Sequence, residues 1–310
     1  MLIDMRDAFF EELVSQAKLN SNIVILSADH GAFALEEFAK DNPKQYINIG
    51  IAEQNMIGVA AGLAASGKIV FVYGITPFVS LRVLEHLTID VATMQLPVIV
   101  VSVGAGFTYS TDGPTHQGLQ DLAAILSVPG MTVLNSSDPV NTSHFVQRAI
   151  KEKKPTYIRI EKEKLQEFNR LNSNYQKDGY SLLTNGNSDL MIISTGSISH
   201  DVQEVISGLT QSGGKIPTHI DLHQLKPIND DSLINILNKF TRIFLVDEGF
   251  ASGFQNTLSG FLVRSHWKGT AVSLYVSDAA VYAGDARTKL KNMQNIGLSD
   301  IEFQVRKILD

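Results

Sequence analysis

The sequence has no cysteine among its 310 residues. That excludes disulfides, thiolate nucleophiles and cysteine-ligated metals, and it fits a reducing compartment. No apolar run approaches the roughly 18 residues that a membrane-spanning helix needs. The opening stretch MLIDMRDAFFEEL is acidic and amphipathic, without the basic start and apolar core of a signal peptide. Basic residues form no dominant cluster and the formal net charge is −6, which argues against a nucleic-acid surface. There is no short repeat, low-complexity tract or coiled coil. What remains is globular: 44% hydrophobic and 19% charged residues, with length for about two ordinary domains. A soluble, cytoplasmic protein is expected.

Short β-branched runs alternate with helical patterns. Strands are predicted at Ile23–Leu26, Tyr46–Ile49, Ile69–Tyr73, Val98–Val103, Thr132–Leu134 and Thr156–Ile160. Helices are predicted between them at Met5–Lys18, Ala52–Ser66, Phe78–Thr93, Gln120–Leu126 and Pro139–Lys151. Uninterrupted Val/Ile strands alternating with helices indicate parallel sheets covered on both faces. The composition turns polar after Glu161, and a second series of strands and helices begins at Leu190. The expected fold is α/β with two domains, each a mostly parallel sheet flanked by helices. Residues 1–165 form the first, 166–187 a linker and 188–310 the second.

Two segments carry chemistry. QYINIGIAEQNMIGVAAGLAASG reads as a strand, a tight glycine turn and a helix rich in small residues. Gly58, Ala61, Gly62 and Ala65 recur at helical spacing, and glycine weakens a helix, so a crowded contact is expected on that side. Glu53 falls in the first turn, where the helix dipole favours a carboxylate. Downstream, Phe78 and Arg82 stand in an FxxxR arrangement. The second segment, FTYSTDGPTHQG, follows the strand VIVVSV. Its Asp112 and His116 therefore lie at the carboxyl end of a parallel strand, where α/β sites form.

GIAEQNMIG (Gly50–Gly58) and DGPTHQG (Asp112–Gly118) resemble the transketolase family of thiamine-diphosphate enzymes. The resemblance runs from the pyrimidine-binding domain to the C-terminal domain, almost end to end. It implies that Glu53 hydrogen-bonds the cofactor's pyrimidine nitrogen and relays a proton, and that Phe78 stacks on the ring. Ile75 and Leu81 occupy neighbouring cofactor positions that are often aromatic in transketolases. Asp112 is implied to bind a substrate hydroxyl, and His116 to move protons near the substrate carbonyl. Arg6 and Arg159 (TYIRIEK) resemble substrate-phosphate arginines, whose forks suit phosphate. His30, in the SADHG turn, is a further pocket candidate. Arg82 is expected to form a structural ion pair. Phe33 stands roughly where a family serine meets phosphate, and an upstream family histidine is replaced within VSVGAGF. A substrate other than the common pentose-pathway sugars is therefore expected. His223, within DLHQLKPI, is expected to be structural, and no histidine spacing suggests a metal site.

No diphosphate- and Mg2+-binding motif is found; GDARTKLKN is too short and lies in the wrong domain. The Mg2+ ligands are thus expected on an N-terminal, diphosphate-binding partner subunit, with an α2β2 assembly as the simplest arrangement and a homodimer of this chain as the alternative. The helix after Glu53 is the expected pairing surface. Two other readings are open: a deoxyxylulose-phosphate-synthase-like condensation of pyruvate with an aldehyde, and a non-catalytic scaffold subunit. A 2-oxoacid dehydrogenase β subunit is disfavoured, because DGPTHQG is not its pattern.

Overall fold

The β-branched runs pair as parallel neighbours because both of their faces are apolar and each needs a covering layer. A computed structural model describes residues 2–31 and 33–310, apart from the side chain of Phe33. The expectation attached to Phe33 therefore lies outside the described side chains.

The first domain begins with β1 (Ile3–Asp4) and α1 (Met5–Leu19). Asp4 caps α1, accepting the backbone N–H groups of Arg6 at 3.0 Å and Asp7 at 3.2 Å, and this fixes Arg6 in the first turn. There follow β2 (Ile23–Ser27), α2 (Phe33–Asp41), β3 (Tyr46–Asn48), α3 (Glu53–Ala65), β4 (Ile69–Ile75) and the three-residue α4 (Leu84–His86). Next come β5 (Val98–Val103), α5 (Asp121–Ser127), β6 (Thr132–Asn135), α6 (Pro139–Glu152), β7 (Thr156–Ile160) and β8 (Lys164–Leu165). The short β8 pairs back on β1.

The second domain contains α7 (Tyr175–Asp178), β9 (Tyr180–Thr184), β10 (Leu190–Ser194), α8 (Ile198–Gln211), β11 (Thr218–Leu222), β12 (Gln224–Lys226) and α9 (Asp230–Leu237). It continues with β13 (Arg242–Phe250), α10 (Phe254–Arg264), β14 (Thr270–Val276), α11 (Arg287–Met293) and α12 (Leu298–Leu309). Its sheet runs β14-β13-β10-β11-β9, parallel except for the edge strand β9. The first sheet runs β12-β6-β7-β5-β4-β2-β3, parallel except for β12.

Three features differ from the sequence reading. Part of the expected linker is structured, since α7 and β9 lie within 166–187 and β9 closes an edge of the second sheet. YSLLT is a short run without period-two alternation, set among polar flanks, so the sequence does not mark it as a strand. β12, from the second half of the chain, pairs antiparallel with β6 and stitches the domains together. The predicted helix Phe78–Thr93 is delayed: residues 76–83 form turns, and after α4 the chain winds as a π-helix over Leu87–Thr93. Pro77 brings no N–H, and the hydroxyls of Thr76 and Ser80 bond backbone carbonyls, so side chains compete with a regular helix here.

One apolar layer lies between the first sheet and α1, α2 and α6, built on Phe9, Phe10, Phe38, Phe71 and Phe145. The opposite face packs on α3 and α5 and continues into the second domain through Met191, Ile193, Leu222, Phe254 and Leu258. The domains therefore share a core.

Candidate active site

The loops after β2, β4 and β5 and the start of α3 converge at the carboxyl edge of the first sheet, where parallel topology leaves a crevice. Glu53 is the first residue of α3 and only 2% exposed. Its Oε2 accepts a hydrogen bond from Arg82 Nη1 at 2.8 Å, while its Oε1 is buried without a partner. The arginine's guanidinium carbon lies 4.3 Å from the centre of the Phe78 ring, a cation–π contact that also orients the fork toward Glu53. Arg82 is thus the expected ion pair, made with the candidate catalytic carboxylate itself.

Phe78 meets His116 edge to face, with ring centres 5.1 Å apart, and Tyr109 approaches the same imidazole at 6.1 Å. Thr115 Oγ1 lies 2.8 Å from His116 Nδ1, and the imidazole is half-buried. The DGPT segment that carries the imidazole is a tight turn: Gly113 has φ +73°, and His116 N–H donates to the Gly113 carbonyl. Asp112 is exposed at its rim, and its charge reaches Tyr109.

His30 enters from the turn after β2. Its neighbour Asp29 is held at φ +58° by Asn48, which donates to the Asp29 carboxylate at 3.1 Å. Burial lowers the His30 pKa; Glu53 and Asp29 oppose that shift and His116 adds to it, so these groups share one electrostatic environment. Arg6 lies against Tyr73 and Tyr109. Burial raises both phenols, and the arginine's charge opposes the rise. Its Nε is buried without a partner. Arg6, His30, Glu53, Phe78, Asp112 and His116 are therefore brought together. Ile75 is buried at the end of β4, and Leu81 is 40% exposed on the turn that follows it.

Arg159 is a correction. It is 2% exposed, donates from Nε to Asp121 at 2.9 Å and from Nη2 to the Gly118 carbonyl at 2.6 Å. Burial opposes its charge, but Asp121 and Asp247 hold it firmly protonated. Along β7 it shares a side with Tyr157 rather than with Ile158 and Ile160, and this turns it beneath the loop, away from the crevice. Tyr109 was missed. Its signal was an aromatic residue just ahead of DGPTHQG; Lys162 Nζ lies 5.5 Å over its ring. The expected crowding along α3 is not met within the chain, since nothing lies within 4 Å of where a Cβ on Gly58 or Gly62 would stand. Among the described residues no group of three or more acidic or imidazole side chains could hold a metal ion, and no helix is long and apolar enough to cross a membrane.

A buried carboxylate with one free oxygen, a phenylalanine face and an imidazole suits a flat nitrogen heterocycle carrying a reacting group. Comparison with known proteins gives the family. Residues 2–167 match the transketolase pyrimidine-binding domain and residues 179–300 the transketolase C-terminal domain. A putative transketolase C-terminal section from Methanocaldococcus jannaschii is 30% identical over 93% of this chain and 90% of its own length. A subunit of the apulose-4-phosphate transketolase from Phocaeicola vulgatus is 29% identical over 80% of this chain and 79% of its own. A split-gene transketolase solved as an inactive β4 tetramer superimposes with a TM-score of 0.87 and 27% identity, covering 99% of this chain and 98% of that one.

Proposed function

The chain belongs to the transketolase family, and we propose that it is the C-terminal subunit of a two-subunit transketolase. It would move a two-carbon ketol unit from a ketose to an aldose acceptor with thiamine diphosphate, in the cytoplasm. The observation that carries the reading is Glu53, buried at the start of α3 with Oε1 unpaired beside Phe78 and His116. An aminopyrimidine matches that free oxygen in donor and acceptor chemistry. Thiamine diphosphate supplies, when bound, the carbon centre that stabilises a carbanion during ketol transfer.

The chain's own residues would do the rest. Glu53 holds a proton toward the pyrimidine nitrogen, and Arg82 fixes the carboxylate by its other oxygen. Phe78 offers its ring to the heterocycle, a contact of about 1 kcal/mol beyond burial. Asp112 accepts from a sugar hydroxyl, and His116 moves a proton at the substrate oxygens. Arg6 presents a fork to a sugar phosphate, and His30 contacts the substrate beside Glu53. Mg2+ and the diphosphate would be held by the partner subunit. The Phocaeicola relative, itself named as one subunit of a transketolase, supports a divided enzyme, and an α2β2 assembly is the form proposed. The uncovered small-residue side of α3 and the neighbouring Ile51, 79% exposed, form the surface assigned to pairing.

The test is reconstitution with the diphosphate-binding subunit, thiamine diphosphate and Mg2+. Ketol transfer is expected from the wild type and lost in Glu53→Ala. Normal turnover by that variant overturns the proposal, and CO2 release from pyruvate would replace it with the synthase-like condensation.

A further inference from the structure

The loop that carries Tyr109, Asp112 and His116 is built by the first domain but gripped by the second. Its ends close where the backbones of Gly106 and Gly118 exchange two hydrogen bonds of 2.9 Å. Just inside that closure, Phe107 N–H donates to Glu248 Oε1 at 2.7 Å, and the Thr108 hydroxyl bonds Glu161. Glu248 belongs to β13 of the second domain, and Glu161 follows β7.

Both carboxylates converge on Arg287, the first residue of α11. Its Nε donates to Glu248 at 2.9 Å, its Nη1 lies 3.0 Å from Glu161 and 2.9 Å from Glu163, and its Nη2 reaches Ser197 at 2.9 Å. Burial opposes the charge, yet the surrounding carboxylates raise the Arg287 pKa well above normal. Farther along, the Gln117 amide donates to the Val281 carbonyl at 3.2 Å and Phe250 N–H donates to Leu119 at 3.1 Å. Phe107 and Leu119 pack with Val276, Val281, Leu290 and Ile296 of the second domain.

Apolar contact alone already joins loop and domain. A buried guanidinium among several carboxylates adds little cohesion after desolvation, but it adds direction through charge-assisted, forked bonds. Gly106 shows how close the fit is: a Cβ there would stand 2.6 Å from Glu248 Oε1.

We propose that Arg287 is a positioning residue for ketol transfer. Through Glu248 and Glu161 it fixes Phe107 and Thr108, and so sets where Tyr109, Asp112 and His116 meet the substrate. This rests on the transketolase reading above, and it gives the second domain a part in substrate placement.

Two variants separate placement from folding: Arg287→Lys keeps the charge and loses the fork, and Glu248→Gln keeps an acceptor for Phe107 N–H while weakening the ion pair. Hydrogen exchange on the full chain reads the loop without any reaction. Both variants should speed exchange in 107–118 about tenfold while β2, β4 and β5 remain protected. In the reconstituted enzyme kcat/KM for the ketose should fall about tenfold, through a higher KM from Asp112 and a lower kcat from His116, with thiamine diphosphate affinity changing far less. Unchanged loop exchange and unchanged kcat/KM would overturn the proposal, and so would acceleration spread over the whole chain, which marks a merely structural role. If the wild-type assembly transfers no ketol unit, the functional reading falls while the exchange result still decides whether Arg287 holds the loop.

Discussion

The crevice at the edge of the first sheet and the polar cluster inside the second domain use the same residue types to opposite ends. In the second domain, His219 Nε2 lies 2.7 Å from Ser194 Oγ, Ser194 meets Ser199 at 2.7 Å, and Ser199 donates to Asp221 at 2.9 Å. Ser137, from the first domain, donates to the other Asp221 oxygen at 2.5 Å. The cluster is buried and closes on itself. At the crevice, Glu53 keeps an oxygen free, and Asp112 and His116 face a loop surface. A Ser-His-Asp set is architecture when every lone pair is used internally, and chemistry when one is left for a ligand.

The same carboxylate-to-amide change should have opposite consequences in the two places. Glu53→Gln should lower ketol transfer by about a thousandfold or more with thermal stability nearly unchanged. Asp221→Asn should leave turnover of the reconstituted enzyme within a fewfold; a comparable loss of activity in both would merge the two regions. Next in size are the arginines. Arg159→Met strands Asp121 in the core and should cost about 3–5 kcal/mol in denaturant unfolding. Arg6→Met should leave stability nearly intact and raise the KM for a phosphorylated ketose. Equal stability losses in the two would contradict their assignments to core and crevice.

Replacing His219 by Leu removes partners from Ser194 and Gln203 and should cost about 1–3 kcal/mol, read by the same unfolding curves. The smallest effect is in pH dependence. Burial raises Asp221 to about 7, opposed by the bonds from Ser137 and Ser199, and burial lowers His219 to about 3. An acid raised on folding contributes stability below its unfolded pKa of about 4 and loses it as pH rises through about 7. The histidine acts in the other direction, its contribution fading as pH falls from about 6.5 toward about 3. Asp221→Asn should therefore flatten the fall in melting temperature between pH 5 and pH 8 without abolishing it, because Asp247, also raised to about 7 by burial, stays in place. An unaltered slope would show that Asp221 ionises normally.

Much of the first domain was legible because its strands are uniform β-branched runs and its helices alternate with them at fixed spacing. β9 was not, because YSLLT sits among polar residues and is recruited by β11 only once the second sheet exists. The delayed helix after β4 was hidden for a related reason: the hydroxyls of Thr76 and Ser80 act on backbone carbonyls, that of Thr76 on one brought near by β5. At the site, GIAEQNMIG and DGPTHQG pointed to Glu53, Asp112 and His116 through their resemblance to transketolases, and the fold brings the three to one crevice. Arg159 misled because both faces of β7 are buried, so alternation alone does not say which face meets a crevice.

The sequence by itself determined the layered α/β plan, the family and the residue types at the crevice, since these follow from periodicity and from contiguous motifs. Tertiary structure alone decided that Arg82 holds Glu53, that Arg159 lies beneath the loop, and that Arg287 of the second domain grips the segment bearing His116. Those pairings join residues far apart in the chain. Their geometry depends on how two sheets and their shared core come to rest against each other, which no local spacing encodes.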